Sequence, residues 1–299
     1  MKPLVVLSLC DGLAVGYSVI RELMDDFQSL EYNAVEINEA VRKLTDANFP
    51  GKIRRPCHDV KFMASNLEKF KDLLSRVDMI VFGFPCTSLS SQGKMNDWEG
   101  ESGLFWACME ILNYIKKFNP NLKFFIENVA SMRNSIREEI SATIGVPHFE
   151  LDASYFGPQA RVRYYWFNWA APLVPEVHSS IMPVDCLEDD GITLVSVSKS
   201  NRGKDDFGDP IVEGRARKDG KAGTLVTGDG CNGQSTRNLV ITNKLKTRDL
   251  RVPEAAKIQG LGEWNFSSVS NAVAFEAIGN SWDRRAVKEI LKGAFEDAA

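Results

Sequence analysis

The chain has 299 residues, enough for one large domain or a large domain with a small companion. Hydrophobic residues make up 44% and charged residues 25%, and no apolar run approaches the roughly 20 residues of a membrane-spanning helix. The net charge of −4 argues against a surface that binds nucleic acid throughout, but leaves room for a local basic patch.

Leu4–Leu9 (LVVLSL) reads as a buried strand rather than a signal peptide, because it lacks a long apolar core and a small-residue cleavage site. A glycine-containing loop and a helix near Val15–Phe27 follow. A second strand is predicted at Tyr32–Ile37, with a helix at Glu39–Asn48 after it. Val77–Phe82 (VDMIVF) is another apolar strand, and Glu101–Phe118 has helical periodicity through Leu104, Cys108, Ile111, Leu112 and Ile115. Leu122–Ile126 and Arg163–Trp169 are the next strands. Repeated βα units with buried strands predict an α/β fold, a doubly wound and mostly parallel sheet. Ligands of such sheets bind at the carboxyl ends of the strands, so the loops after Leu9, Ile37, Phe82 and Ile126 should share one cleft.

The pattern changes after Trp169. Residues 170–250 are rich in Gly, Asp, Lys and Ser, with short strand-like runs at Ile192–Val197 and Leu239–Ile241. The predicted organisation is a first domain over residues 1–170, a small irregular one over 171–270, and a return to the first over 271–299 through a helix near Ala286–Phe295. Residues 190–251 hold twelve Lys and Arg against eight Asp and Glu, a positive region in an acidic chain. The six cysteines (Cys10, Cys57, Cys86, Cys108, Cys186, Cys231) form no CxxC pair, so no zinc site is expected.

The first strand leads into Cys10-Asp11-Gly12-Leu13, where glycine lets backbone approach a ligand. The spacing is not the dinucleotide GxGxxG. Glu36, followed by Ile37, ends the second strand, where a carboxylate can accept the hydroxyls of a ribose. Asp59-Val60 follows in the third βα loop, where Asp59 could accept from an adenine amino group. The three together suggest an adenosyl ligand and leave open which one.

Cys86 lies in Gly83-Phe84-Pro85-Cys86-Thr87, just past a buried strand, with Pro85 fixing the backbone before the thiol. Glu127-Asn128-Val129 follows the next strand. Alternation puts Arg161 and Arg163 on one face of an extended segment. A thiolate, an acid and a guanidinium suit one reaction. Addition of the thiolate to C6 of cytosine makes C5 nucleophilic toward a methyl sulfonium. Glu127 would assist at N3 with a pKa raised by burial, Arg163 would hold O2, and Arg161 would steady the acidic neighbourhood. A base inside a duplex must be flipped out to react.

With these residues placed, the chain resembles the cytosine-C5 methyltransferase family over nearly its whole length. Asp11-Gly12, Glu36 and Asp59-Val60 are similar to its cofactor motifs, and Pro85-Cys86 with Ser90 and Gly93 to its nucleophile loop. Glu127-Asn128-Val129 and Gln159-x-Arg161-x-Arg163 resemble its acid and arginine motifs. Arg248-x-Leu250 with Glu254 and Gln259-Gly260 resembles the late motif that organises target recognition. Gly279-Asn280-Ser281-Trp282 resembles the last motif, which closes on the cofactor. Thr87 replaces the glutamine of many bacterial members. Trp282, the Asp11-Gly12 loop and the proline before Cys86 are closer to the animal de novo enzymes.

The resemblance implies S-adenosyl-L-methionine as cofactor, held by Cys10, Asp11, Gly12, Leu13, Glu36, Ile37, Asp59, Val60, Gly83, Pro85, Leu104, Asn280, Ser281 and Trp282. It implies Cys86, Glu127, Arg161 and Arg163 as the catalytic set, and double-stranded DNA as partner. Expected DNA contacts are Ser90 and Gln92, with Arg215, Arg217, Lys218, Lys221, Arg237, Lys244 and Lys246 toward phosphates. A stand-alone bacterial or phage enzyme in the cytoplasm is expected, with no membrane and no metal partner. Three rivals fit less well. A tRNA methyltransferase of the same family would carry a Cys-Phe-Thr signature, which is absent. A non-catalytic regulatory relative would lack the nucleophile or cofactor motifs, and a nicotinamide dehydrogenase would need GxGxxG.

Overall fold

A computed structural model describes residues 2–24, 28–85, 103–198, 202–204, 210–212, 217–226, 236–244 and 247–296. By compactness the chain divides into two units. One comprises Met1–Leu151, Val162–Leu173 and Val287–Ala299, and the other Asp152–Arg161 and Val174–Ala286. Sequence alone drew its boundaries at residues 170 and 270. The excursion at residues 152–161, between two strands, carries no change of composition to mark it.

The first unit is built on strands β1 (Leu4–Leu9), β2 (Leu30–Val35), β3 (Ile53–Arg54), β4 (Met79–Gly83), β5 (Lys123–Val129), β6 (Phe149–Asp152) and β7 (Val162–Phe167). They form one sheet in the order β3-β2-β1-β4-β5-β7-β6. The pairs from β3 through β5 are parallel, and β7 runs antiparallel to β5. The predicted doubly wound, mostly parallel α/β sheet is therefore the observed one. The chain first builds outward from β1 to β3, then crosses to β4 on the other side of β1. The strand order reverses between β1 and β4, and an open α/β sheet offers its ligand crevice at the carboxyl ends flanking such a switch point.

Several element bounds shift from the sequence reading. β2 ends at Val35, so Glu36 and Ile37 begin the loop, and β5 runs on to Val129. Helix α1 spans Val15–Leu23 and α2 Glu39–Asn48. Asn38 starts α2, its side chain accepting from the amides of Ala40 and Val41, which satisfies two orphan donors. Next come α3 (Val60–Ala64), α4 (Lys71–Leu74), α5 (Leu104–Lys116) and α6 (Asn134–Ile144).

β1 buries alternate residues on both faces, as a central parallel strand should. Val5, Leu7 and Leu9 join Ile80, Phe82, Phe124 and Ile126 in a core closed by Phe105, Cys108, Ile111, Leu112 and Ile115 of α5. Among the described residues no helix is long and apolar enough to cross a membrane.

The second unit is more regular than its composition suggests. β8 (Gly191–Ser198), β11 (Thr236–Thr242) and β12 (Thr247–Asp249) make an antiparallel sheet in the order β12-β11-β8. β9 (Arg202–Lys204) and β10 (Pro210–Val212) pair antiparallel. Helices α7 (Val252–Ile258) and α8 (Asn271–Asn280) and the first turn of α9 (Arg284–Glu296) complete it. Its polar centre is Glu254, which is fully buried. That carboxylate accepts two bonds from Arg248 at 2.7 and 2.8 Å and one each from the amides of Glu188 and Arg251. Burial opposes its ionisation, but the Arg248 fork and the two amides outweigh it and hold the carboxyl below its ordinary range. The Arg248 and Glu254 singled out in the late motif are thus a buried bidentate pair.

Asp283 precedes α9 and is 1% exposed. One of its oxygens accepts from the amides of Arg285 and Ala286, while the other is buried with no hydrogen-bond partner. Burial raises its pKa to about 6, against the pull of Arg285 and Arg161. A carboxyl with a raised folded pKa adds stability below its unfolded value near 4, and that stability is lost as pH rises through 6. Asp283→Asn keeps the helix cap and removes the buried charge. It is expected to raise stability at pH 8 by about 1–3 kcal/mol and to change it little at pH 4. Urea midpoints of both proteins at the two pH values check this; equal midpoints at pH 8 would contradict it.

Candidate active site

Cys86, Ser90, Gln92, Arg215 and Lys246 lie outside the described residues. The strand and the residues that lead into Cys86 are described. β4 ends at Gly83, whose register partner on β5 is Glu127. Phe84 follows, 4% exposed, with its ring 5.1 Å from that of Phe105. The buried Asn128 carboxamide donates to the Phe84 carbonyl at 3.0 Å, tying β5 to the start of the loop that carries Pro85.

Glu127 lies inside the carboxyl end of β5 rather than past it, because pairing with β7 extends the strand. β7 places Arg163 opposite Val129, diagonal to Glu127 on the same face. Arg163 Nε approaches Glu127 Oε1 at 3.1 Å, and both side chains are shielded, at 13% and 12% exposure. So an acid and a guanidinium are joined at the strand end next to the one that leads to Cys86.

Arg161 sits in a different setting from Arg163. Although two residues from Arg163, it belongs to the second unit and is 3% exposed. Its guanidinium donates to the carbonyls of Leu225, Gly279 and Ser281 at 2.8–3.0 Å. It braces main chain, its charge also acts on the buried Asp283 carboxyl, and alternation alone could not reveal that β7 starts only at Val162.

The loop after β1 is strained. Cys10, Gly12 and Ala14 all have positive φ, at 52°, 56° and 55°, which a side chain resists at positions 10 and 14. Contacts from below and beside hold it. Gly12 N donates to Glu36 Oε2 at 2.9 Å, and Glu36 Oε1 accepts from Asn38 N at 2.8 Å. Tyr32, fully buried on β2, donates its hydroxyl to Asp11 at 2.8 Å. Sequence reasoning missed Tyr32; its one signal was a phenol within an aliphatic strand. Burial pushes Asp11 up to about 6, against the hydrogen bonds from Ser8 and Tyr32, and one of its oxygens is buried with no partner.

Leu13 and Val60 are buried, Leu104 opens α5, and Ile37 is 71% exposed beside Glu36. Asp59 caps α3 by accepting from Lys61 N at 2.8 Å. An exposed apolar side chain next to the acid that accepts from Gly12 N, with open space over Gly12, is chemistry that an adenosyl group fits. Asn280 closes α8 and is exposed, Ser281 is buried, and Trp282 is half-buried, all in the second unit.

The expected phosphate contacts separate into different settings. Lys218 and Lys244 are exposed, and Arg237 lies in β11. Arg217 is exposed but paired with Asp219 at 2.7 Å. Lys221 does not fit an exposed contact. It is 4% exposed, and its ammonium donates to the carbonyls of Gly157, Ser179 and Ile181, which uses its three protons. Among the described residues no group of three or more His, Cys, Asp or Glu is placed to hold a metal ion.

The sheet order defines a doubly wound α/β protein in which the carboxyl ends of β1 and β4 flank the switch point where such sheets bind ligands. The chain belongs to the C-5 cytosine-specific DNA methylase family, whose model matches residues 7–168. It is 34% identical over 104 residues to the Type II methyltransferase M.Sau96I of Staphylococcus aureus. That match covers 34% of this chain and 23% of the relative, under a quarter of the relative's length. Its fold is similar to a DNMT2 of Spodoptera frugiperda at TM-score 0.68 and 18% identity, covering 98% of this chain and 99% of that one. A putative DNA modification methyltransferase encoded within an E. coli prophage gives TM-score 0.63 at 18% identity, again over 98% and 99% of the two chains.

Proposed function

We propose that the chain transfers a methyl group from S-adenosyl-L-methionine to C5 of a cytosine flipped out of double-stranded DNA. The observation that carries this reading is the Glu127–Arg163 pair at the carboxyl end of β5, beside the β4 end that leads through Pro85 to Cys86. Membership of the family and the resemblance to a Type II methyltransferase support it.

The Cys86 thiolate adds to C6 of the cytosine, which makes C5 nucleophilic. Glu127 hydrogen-bonds N3 and carries the proton there as charge builds on the ring. Arg163, next to Glu127, holds O2 and keeps the ring in plane with the acid. After methylation, loss of the C5 proton and expulsion of the thiolate restore the aromatic ring and free Cys86. Asn128 ties β5 to Phe84, at the start of the segment that leads to Cys86.

The loop Cys10–Leu13, with Glu36, Ile37, Asp59 and Val60, would hold the cofactor's adenosyl and methionyl parts, and Gly83, Pro85 and Leu104 would line its reactive end. Asn280, Ser281 and Trp282 join this set on their motif. S-adenosyl-L-methionine, when bound, supplies an electrophilic methyl group and leaves as S-adenosyl-L-homocysteine. Arg215, Arg217, Lys218, Arg237, Lys244 and Lys246 supply the positive field for DNA, and Ser90 and Gln92 lie in the nucleophile loop. The setting is the cytoplasm of a bacterial or phage-infected cell.

The test is transfer of labelled methyl from S-adenosyl-L-methionine to duplex DNA and, in parallel, to bulk tRNA. Label in DNA at C5 of cytosine is expected. Label in tRNA alone would replace this reading with the RNA branch of the family.

A further inference from the structure

Two buried glutamines form a directed hydrogen-bond relay in the second unit. Gln159 and Gln259 are both fully buried. Leu225 N–H donates to Gln159 Oε1 at 2.6 Å, Gln159 Nε2 donates to Gln259 Oε1 at 2.7 Å, and Gln259 Nε2 donates to the Ser281 carbonyl at 2.9 Å. Both ends are main chain, one able only to donate and the other only to accept. The orientation of each carboxamide is therefore fixed by its neighbours, and no flipped arrangement satisfies all four groups.

Arg161 runs parallel to this relay. It joins the Leu225 carbonyl to the carbonyls of Gly279 and Ser281. Both polar groups of the Leu225 peptide unit region are thus tied to the Gly279–Ser281 main chain by three buried side chains. The Leu225 end is itself fixed in place. Ala222 exchanges main-chain bonds with Pro158 and Ala160, and Thr224 Oγ1 donates to the Ala160 carbonyl at 2.7 Å. Lys221 is anchored on three carbonyls, and the same stretch begins with the exposed Arg217 and Lys218. One short segment therefore carries exposed cations at one end and, at the other, a buried polar connection to residues 279–281.

A satisfied buried network of this kind has one arrangement and resists small displacements at either end. We infer that Gln159 and Gln259, with Arg161, are positioning residues that couple residues 217–226 to the segment Asn280–Trp282, so that cofactor and DNA reinforce each other's binding. The inference rests on the proposed function, in which the first segment faces DNA and the second the cofactor. A displacement of one segment reaches the other through three bonds in series, without a contact to either ligand.

The experiment measures the affinity of the full chain for a fluorescent duplex containing its methylated site, with and without saturating S-adenosyl-L-homocysteine, alongside calorimetry of S-adenosyl-L-homocysteine alone. For the unaltered protein the homocysteine is expected to tighten DNA binding at least about 5-fold, the lower end of ordinary coupling. Gln159→Glu removes the donor toward Gln259, and the coupling factor should fall below about 2-fold. Gln259→Met keeps similar volume without the bonds, gives the same expectation, and serves if the first variant does not fold. The double variant Gln159→Glu/Gln259→Lys restores an acceptor for Leu225 and donors toward Ser281, and should recover coupling. Full coupling in a folded single variant overturns the inference, as does a double variant no better than the singles, since direction would then be irrelevant. An unaltered protein that binds both ligands without coupling overturns it while leaving the proposed function standing. One that binds neither ligand removes both.

Discussion

Cys86→Ser is expected to lower methyl transfer by on the order of 10⁴-fold or more, the scale on which removal of a nucleophile acts. A hydroxyl at that position is far less ionised and less nucleophilic than a thiol, so addition to C6 would no longer compete. Affinity for S-adenosyl-L-methionine should change little, because the thiol is not among the proposed cofactor contacts and the exchange leaves Gly83 and Pro85 in place. Transfer rates and calorimetry on the same preparation separate the two effects. A duplex with 5-fluorocytosine at the target should trap a covalent species with the unaltered protein and none with the variant, because fluorine blocks the final proton loss. Turnover at the normal rate by Cys86→Ser would remove nucleophilic addition from the mechanism.

Glu127→Gln is expected to slow transfer about 10²–10⁴-fold, the usual range for acid–base assistance. The amide retains the shape and can still face N3, but it has no proton to exchange. It also breaks the charge pairing with Arg163, which is 3.1 Å away and shielded from water. The loss should therefore appear in kcat, with the affinity for cofactor retained. A variant that lost only cofactor affinity, at an unchanged kcat, would place Glu127 outside the chemistry.

β1, β2, β4 and β5 were legible because each is a short run of mostly buried side chains with a helix after it; β3, only Ile53–Arg54, and β6, Phe149–Asp152, are too short to carry such a pattern and were not read. The polar residues at the strand ends stood out for the same reason. Asp11, Glu36 and Glu127 each follow or end a stretch of buried side chains. What stayed hidden depended on partners without a sequence signature. Arg161 and Lys221 donate to main-chain carbonyls, which any residue can supply, so the sequence showed neither the brace Arg161 makes nor that Lys221, expected at a phosphate, is buried. The antiparallel sheet of β8, β11 and β12 was reduced to short runs because its strands carry many polar residues. Asp283 was invisible as a buried group because a helix cap at a surface has the same sequence. Glu127 was placed one step too late, since β5 lengthens only through pairing with β7.

The fold in turn sharpens what the motif reading left as a string of residues. The reversal between β1 and β4 gives a structural reason for the proposed cofactor loop after β1 and the residues that lead to Cys86 after β4 to lie at neighbouring strand ends. It makes Asn128 a link between the acid strand and the thiol loop, a part the motif alone did not assign.

Bisulfite sequencing of duplex DNA treated with the purified protein and S-adenosyl-L-methionine tests the central claim most directly. Protected cytosines in a reproducible sequence context are expected, present with the unaltered chain and absent with Cys86→Ser. Complete conversion of every cytosine by bisulfite, after treatment with a folded protein that binds S-adenosyl-L-methionine, would contradict it.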